Sequence, residues 1–145
     1  AEIPQDRFPT GIISFIKENN IKGNMLVFFD WAEYCIWKLY PDCRVFLDGR
    51  FTDAYSMKTV TDYLNFLYLG SEWDLALKNY PVDMLLIHKG NPVYKKMPYL
   101  ESWRLVSEDG ISGLFLNTNM HFMTISRLSP AQPIIIKGYS AEFFP

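Results

Sequence analysis

The residues best placed for chemistry are Asp30, Asp48, Arg50 and His88, each at or just after the end of an apolar, strand-like run. Asp30 follows residues 25–29, Asp48 follows residues 44–47, and His88 closes residues 82–88. Open α/β sheets bind ligands in the crevice outside the carboxyl ends of their strands. Asp30 and Asp48 could serve there as an acid–base pair if one pKa were raised and a cleft held substrate. N-capping explains Asp30 more simply. Asp48-Gly49-Arg50 offers a carboxylate and a guanidinium that could grip a sugar or an anion at the crevice rim. The same three residues also read as turn chemistry: Gly49 makes the tight turn, Asp48 caps amides, and Arg50 pairs with Asp48, Asp53 or Asp30.

Other chemistries find no pattern. The turn after the first run, Phe29-Asp30-Trp31-Ala32-Glu33, has no glycine, and its carboxylates would repel a phosphate. No G-x-x-x-x-G-K-S/T occurs, so no nucleotide cofactor is expected. His88 has no serine or cysteine in a G-x-S-x-G turn to activate. Neither His88 nor His121 shows metal-ligand spacing with another His or carboxylate. Cys35 and Cys43 allow either a disulfide or two buried thiols. The chain carries a net charge of −2, which gives no electrostatic footprint for nucleic acid. Aromatics make up 17% of it. Those at helical spacing belong to a core, whereas Trp37 and Tyr40 fall off the main stripe and suit a surface contact.

These groups need elements to position them. Thr10 suits the N-cap of a helix over residues 11–19. Asp30, with Glu33 three residues on, has capping-box spacing for a helix over residues 31–40, which Pro41 stops. Trp31, Tyr34, Cys35 and Leu39 form its apolar stripe. Ser56 or Thr59 starts a further helix that ends at Gly70, and a short one covers residues 72–79. Residues 82–88 read as a central strand covered on both faces. Asp109-Gly110 joins strands 103–108 and 111–117 as a hairpin. The alternation predicts an α/β fold: a three-layer α/β/α sandwich with a mostly parallel, Rossmann-like sheet that ends in an antiparallel edge hairpin. Residues 1–118 form one domain, and 119–145 are an extension packed on it or partly irregular.

From Gly23 to Asn117 the chain resembles the C-terminal soluble region of bacterial multi-spanning membrane proteins described as GT-C-type glycosyltransferases, related to protein mannosyltransferases and oligosaccharyltransferase-like enzymes. The resemblance rests on a W-x-x-Y-x-I/L-W segment, here Trp31, Tyr34, Ile36 and Trp37. A V-F-x-D-G-R strand end follows, here Val45, Phe46, Asp48, Gly49 and Arg50, with Tyr55 a few residues on. VDMLLIHKGNP and SWRLVSEDGISGLFL are similar to a later strand and hairpin of that family. The family often has small residues after the tryptophan, where this chain has Ala32-Glu33.

The resemblance implies an extracytoplasmic, periplasmic or outer-face domain attached to a membrane-embedded part, whose catalytic carboxylate and lipid-linked sugar lie outside this chain. Its partners would be that membrane part and a glycan or peptide acceptor. The N-terminus lacks a basic region, an apolar core and an initiating methionine, so the expectation is an excised piece rather than a signal peptide. The function expected is a non-catalytic accessory domain with its candidate ligand or structural crevice at Asp30, Trp31, Tyr34, Trp37, Asp48, Gly49, Arg50, Asp53, Tyr55 and His88. Two alternatives stand beside it. One is a small hydrolase or phosphate-handling enzyme using Asp30, Asp48 and His88. The other is a protein-interaction module docking through Trp37 and Tyr40.

Overall fold

The computed structural model of the protein describes residues 7–47 and 55–118. Asp48, Gly49, Arg50, Asp53, His121 and the extension 119–145 lie outside the described residues. The elements run α1 (Thr10–Glu18), β1 (Gly23–Val27), a 3₁₀ turn (Phe29–Trp31), α2 (Ala32–Leu39), β2 (Cys43–Val45), α3 (Met57–Tyr68) and α4 (Leu75–Asn79). β3 (Met84–His88), a second 3₁₀ segment (Pro92–Tyr99), β4 (Trp103–Glu108) and β5 (Ser112–Asn117) complete them.

The five strands form one mixed sheet in the order β2-β1-β3-β5-β4. β1 pairs with β2 and β3 in parallel, whereas β5 pairs with β3 and β4 antiparallel. The sheet is therefore evenly divided rather than mostly parallel. The reason is β5, which turns back on β4 through a tight connection and then occupies the inner place beside β3. That leaves β4 as the edge, where its residues are half-buried or exposed and a register shift falls between Leu105 and Ser107. A bulge and charged side chains such as Arg104 and Glu108 blunt an edge against further pairing.

Alternation along the strands feeds two hydrophobic clusters. The cross-strand row Val45, Met25, Met84 and Leu116 joins Ile12, Ile16, Cys35 and Leu39 of α1 and α2. The row Leu26, Leu85 and Phe115 joins Val60, Tyr63, Phe66 and Leu67 of α3, together with Ala76, Val93 and Met97. Central strands wetted on neither face must be apolar throughout, which is why residues 25–27 and 84–87 read as unbroken runs. Cys35 and Cys43 are both buried free thiols.

Local signals set most boundaries. The Ser56 hydroxyl accepts the Thr59 N–H at 3.2 Å, as an N-cap should. Thr10 does not cap. The first helix includes it, with Pro9 before it, and no side-chain cap bond forms. The hairpin turn is built on Asp109, whose Oδ1 accepts from the N–H groups of Ile111 and Ser112 and from the Ser112 hydroxyl at 2.7 to 2.9 Å. An Asx turn thus does the work expected of an Asp-Gly pair. Among the described residues no helix is long and apolar enough to cross a membrane.

One buried polar pair ties the amino ends of β1 and β3 together. The Asn24 N–H donates to Asp83 Oδ2 at 2.8 Å, the Asp83 N–H donates to the Asn24 carbonyl at 2.9 Å, and Asp83 is 1% exposed. Burial pushes the Asp83 carboxyl from 3.8 up to about 6, because the single Asn24 N–H only partly offsets the lost hydration. The folded state then holds this proton more tightly than the unfolded chain does. Its contribution is complete below about pH 4 and is lost as pH rises through 6, some 2–3 kcal/mol in all. Urea unfolding between pH 4 and pH 8 should show this fall, and Asp83→Asn, which keeps an acceptor for Asn24, should flatten it. An unchanged slope in the variant would assign the fall to another group.

Candidate functional site

A cleft of about 410 Å³ opens at the carboxyl ends of β1 and β3, lined by Arg7, Phe8, Phe28, Asp30, Trp31 and His88. The chain leaves β1 toward β2 on one side of the sheet order and leaves β3 toward β4 and β5 on the other. Such a reversal parts the outgoing connections and opens a crevice between the two strand ends.

The exit from β1 shapes the cleft. Phe28 N–H donates to the Leu86 carbonyl at 3.1 Å, which extends the β1–β3 ladder by one residue. The chain then tightens into the 3₁₀ turn, with the Trp31 N–H donating to the Phe28 carbonyl at 2.9 Å. This turn leaves Asp30 exposed at the cleft and drives the Trp31 indole inward, to 2% exposure. Trp31 Nε1–H donates to the Arg7 carbonyl at 2.8 Å, and this bond seats the N-terminal segment over the switch point. Phe8 follows and packs its ring against Tyr34 at 5.3 Å. From behind, the Tyr63 hydroxyl donates to the Val27 carbonyl at 2.6 Å and pins the last residue of β1 to α3.

Three rings form the floor. His88 stacks on Trp31, with centroids 5.3 Å apart and planes at 28°, while Phe28 meets both edge-on. The imidazole is fixed at its other edge, where the Gly90 N–H donates to His88 Nδ1 at 2.7 Å. In the neutral ring the proton therefore sits on Nε2, as a donor, and the nitrogen that could act as a base is already engaged. Gly90 is needed for this approach: a Cβ there would lie 3.0 Å from Nδ1 and 3.1 Å from Cε1 of the ring. Arg7, Asp30 and the half-buried His88 thus line the cleft beside apolar rings, and no serine, threonine, tyrosine or cysteine lines it among the described residues. No group of three or more His, Cys, Asp or Glu that could hold a metal occurs among them either.

The sequence-expected residues scatter around this geometry. Asp30, Trp31 and His88 come together. Tyr34 stands behind Phe8, half-buried, with its hydroxyl pKa raised by burial and then by Cys35. Trp37 lies farther out, 68% exposed, with the Lys38 ammonium 3.8 Å above its ring. Tyr55 packs on the other cluster, against α3 and its neighbours. Asp48, Gly49, Arg50 and Asp53 are outside the described residues.

The capping box expected at Asp30 does not form. α2 begins at Ala32 with Trp31 in the N-cap position and no side-chain cap bond, because the 3₁₀ turn intervenes. Arg7, Phe8, Phe28 and Gly90 were not anticipated. Phe28 and Gly90 flank strand ends and so carried a positional signal. Arg7 and Phe8 carried none, since contacts with the distant Trp31 and Tyr34 bring them in.

A comparison with family models, with curated proteins and with solved structures finds no match.

Substitution separates the two roles along this turn. Asp30→Ala should change stability by less than about 0.5 kcal/mol, where a capping aspartate would cost about 1 kcal/mol. Trp31→Ala should cost about 3–5 kcal/mol, because it empties a buried ring site and releases Arg7. Urea denaturation of both variants measures the difference.

Proposed function

We propose that this chain is a non-catalytic binding domain whose cleft at the β1–β3 switch point takes a hydroxyl-rich ligand, a glycan or a glycosylated acceptor. One observation carries the reading: Arg7, Asp30 and His88 surround an aromatic floor in a single cleft. A sugar offers hydroxyls that both donate and accept, along with an apolar C–H face that rests on a ring. Asp30 can only accept, Arg7 can only donate, and His88 Nε2–H donates, so the set matches a polyol. The engaged Nδ1 of His88 and the lack of a lining hydroxyl or thiol among the described residues weigh against the hydrolase alternative built on Asp30, Asp48 and His88.

The wider proposal follows the resemblance. The domain belongs to the periplasmic or outer face of a membrane glycosyltransferase-like protein and positions acceptor or glycan for a membrane-embedded part. The two clusters and the sheet between them support the finer description of a three-layer, Rossmann-like α/β/α sandwich. A second reading, docking on the membrane part through an aromatic face, draws on Trp37 at 68% and Tyr40 at 63% exposure.

Chitotriose, mannotriose and maltotriose serve as probes in calorimetric titration. At least one should bind saturably, and Arg7→Ala and Asp30→Ala should each weaken it about tenfold with the melting temperature unchanged. Binding that ignores both variants, or no binding at all, would sink the glycan reading. Hydropathy of the gene upstream of Ala1, read in a ~19-residue window, tests the parent: a series of spanning segments supports it and a short polar region removes it.

A further inference from the structure

Arg7 is the one arginine or lysine lining the cleft among the described residues, and it stands on no helix or strand. Its place depends on partners far along the chain. The Trp31 Nε1–H donates to the Arg7 carbonyl at 2.8 Å across 24 positions of sequence, and Phe8 rests on Tyr34 with ring centroids 5.3 Å apart. Pro9 is buried and leads straight into α1, where the Ile13 N–H donates to the Pro9 carbonyl at 3.0 Å. The segment is therefore anchored from Pro9 onward, while the hold on Arg7 itself is the indole bond.

Trp31 is 2% exposed and offers almost no surface to a ligand, so its contribution to the cleft passes through what it holds. An indole has one N–H and no acceptor, and burial commits that donor to a partner, here the Arg7 carbonyl. With that bond gone, Arg7 would sample other positions, and the cleft would keep Asp30 without a fixed cation. A charged group held in place before the ligand arrives lowers the ordering cost of association.

We propose that residues 7–9 are a latch on the cleft, and that Trp31 is the positioning residue that closes it by holding the Arg7 carbonyl. The ligand side of this inference rests on the glycan reading of the cleft, whereas the latch itself does not. A neutral hydrogen bond is individually modest, so the latch opens locally without unfolding the sheet behind it. Ligand and latch then support each other. A ligand that touches Arg7 favours the closed segment, and the closed segment raises affinity for that ligand.

Trypsin reads the latch directly, because the bond it cuts after Arg7 carries the carbonyl that Trp31 holds. Release of the peptide Ala1–Arg7 from the full chain is timed by mass spectrometry, with cleavage after the exposed Lys78 in α4 as a reference. Trp31→Phe keeps an aromatic ring and removes the N–H. It should speed release of the peptide about fivefold or more relative to cleavage after Lys78. Equal acceleration at both sites, or none at Arg7, would reduce Trp31 to a packing residue and overturn the latch. Should Trp31→Phe fail to fold, Tyr34→Ala, which removes the ring beside Phe8, should give the same selective acceleration, and its absence has the same meaning.

The ligand arm adds chitotriose, mannotriose and maltotriose. A triose that binds should slow release of the peptide, and Trp31→Phe should weaken it about tenfold, as Arg7→Ala does. Placed on top of Arg7→Ala, Trp31→Phe should cost no further affinity, because the positioned group is gone. Additive losses would overturn the positioning role. Selective acceleration with no triose bound keeps the latch and sinks the glycan reading. Triose binding indifferent to Trp31→Phe does the reverse.

Discussion

The parallel pairing of β1 with β3, in the register Met25–Met84, Leu26–Leu85 and Val27–Leu86, is the constraint on which the rest of the molecule depends. It joins residues nearly sixty positions apart, so its closure entropy must be offset by what the pairing buries. Each paired row supplies one side chain pair to one cluster and the next pair to the other. A slip of one residue would exchange the two sets and bring α1 and α2 against side chains shaped for α3. The same register sets the two strand ends level and so creates the cleft between them.

The two ends of this pair are finished by opposite means. At the amino ends, Asn24 and Asp83 exchange backbone and side-chain bonds in a dry setting where the carboxylate carries a desolvation penalty. At the carboxyl ends the chain leaves in two directions, and the gap is floored by Phe28, Trp31 and His88. Rings serve there because they fill volume without demanding many polar partners. Trp31 gives its N–H to the Arg7 carbonyl, and His88 is held through Nδ1 by the Gly90 N–H.

Rigidity follows from these attachments. The tryptophan holds the N-terminal segment, Tyr63 holds the exit of β1, and Gly90 admits the imidazole close to the backbone. A cleft supported from several elements is preorganised, and preorganisation lowers the ordering cost of any association.

The sequence by itself determined the order of elements and the central place of the strand at residues 82–88. Unbroken apolar runs at residues 25–27 and 84–87, Ser56 before its helix, Pro41 after another, and Asp109 at the hairpin are local signals that act within a few residues. It also marked Asp30 and His88 as neighbours of one crevice, because strand ends are readable from pattern. What it could not supply were choices made between distant segments. β5 takes the inner place beside β3 and divides the sheet evenly, since a strand's partner depends on the faces already built. The apolar stripe put Trp31 inside, but the 3₁₀ turn before the helix and the Arg7 carbonyl that accepts its indole N–H come from the packed chain. Local chemistry fixes what each segment can be, and only the packed whole decides which of its groups meet.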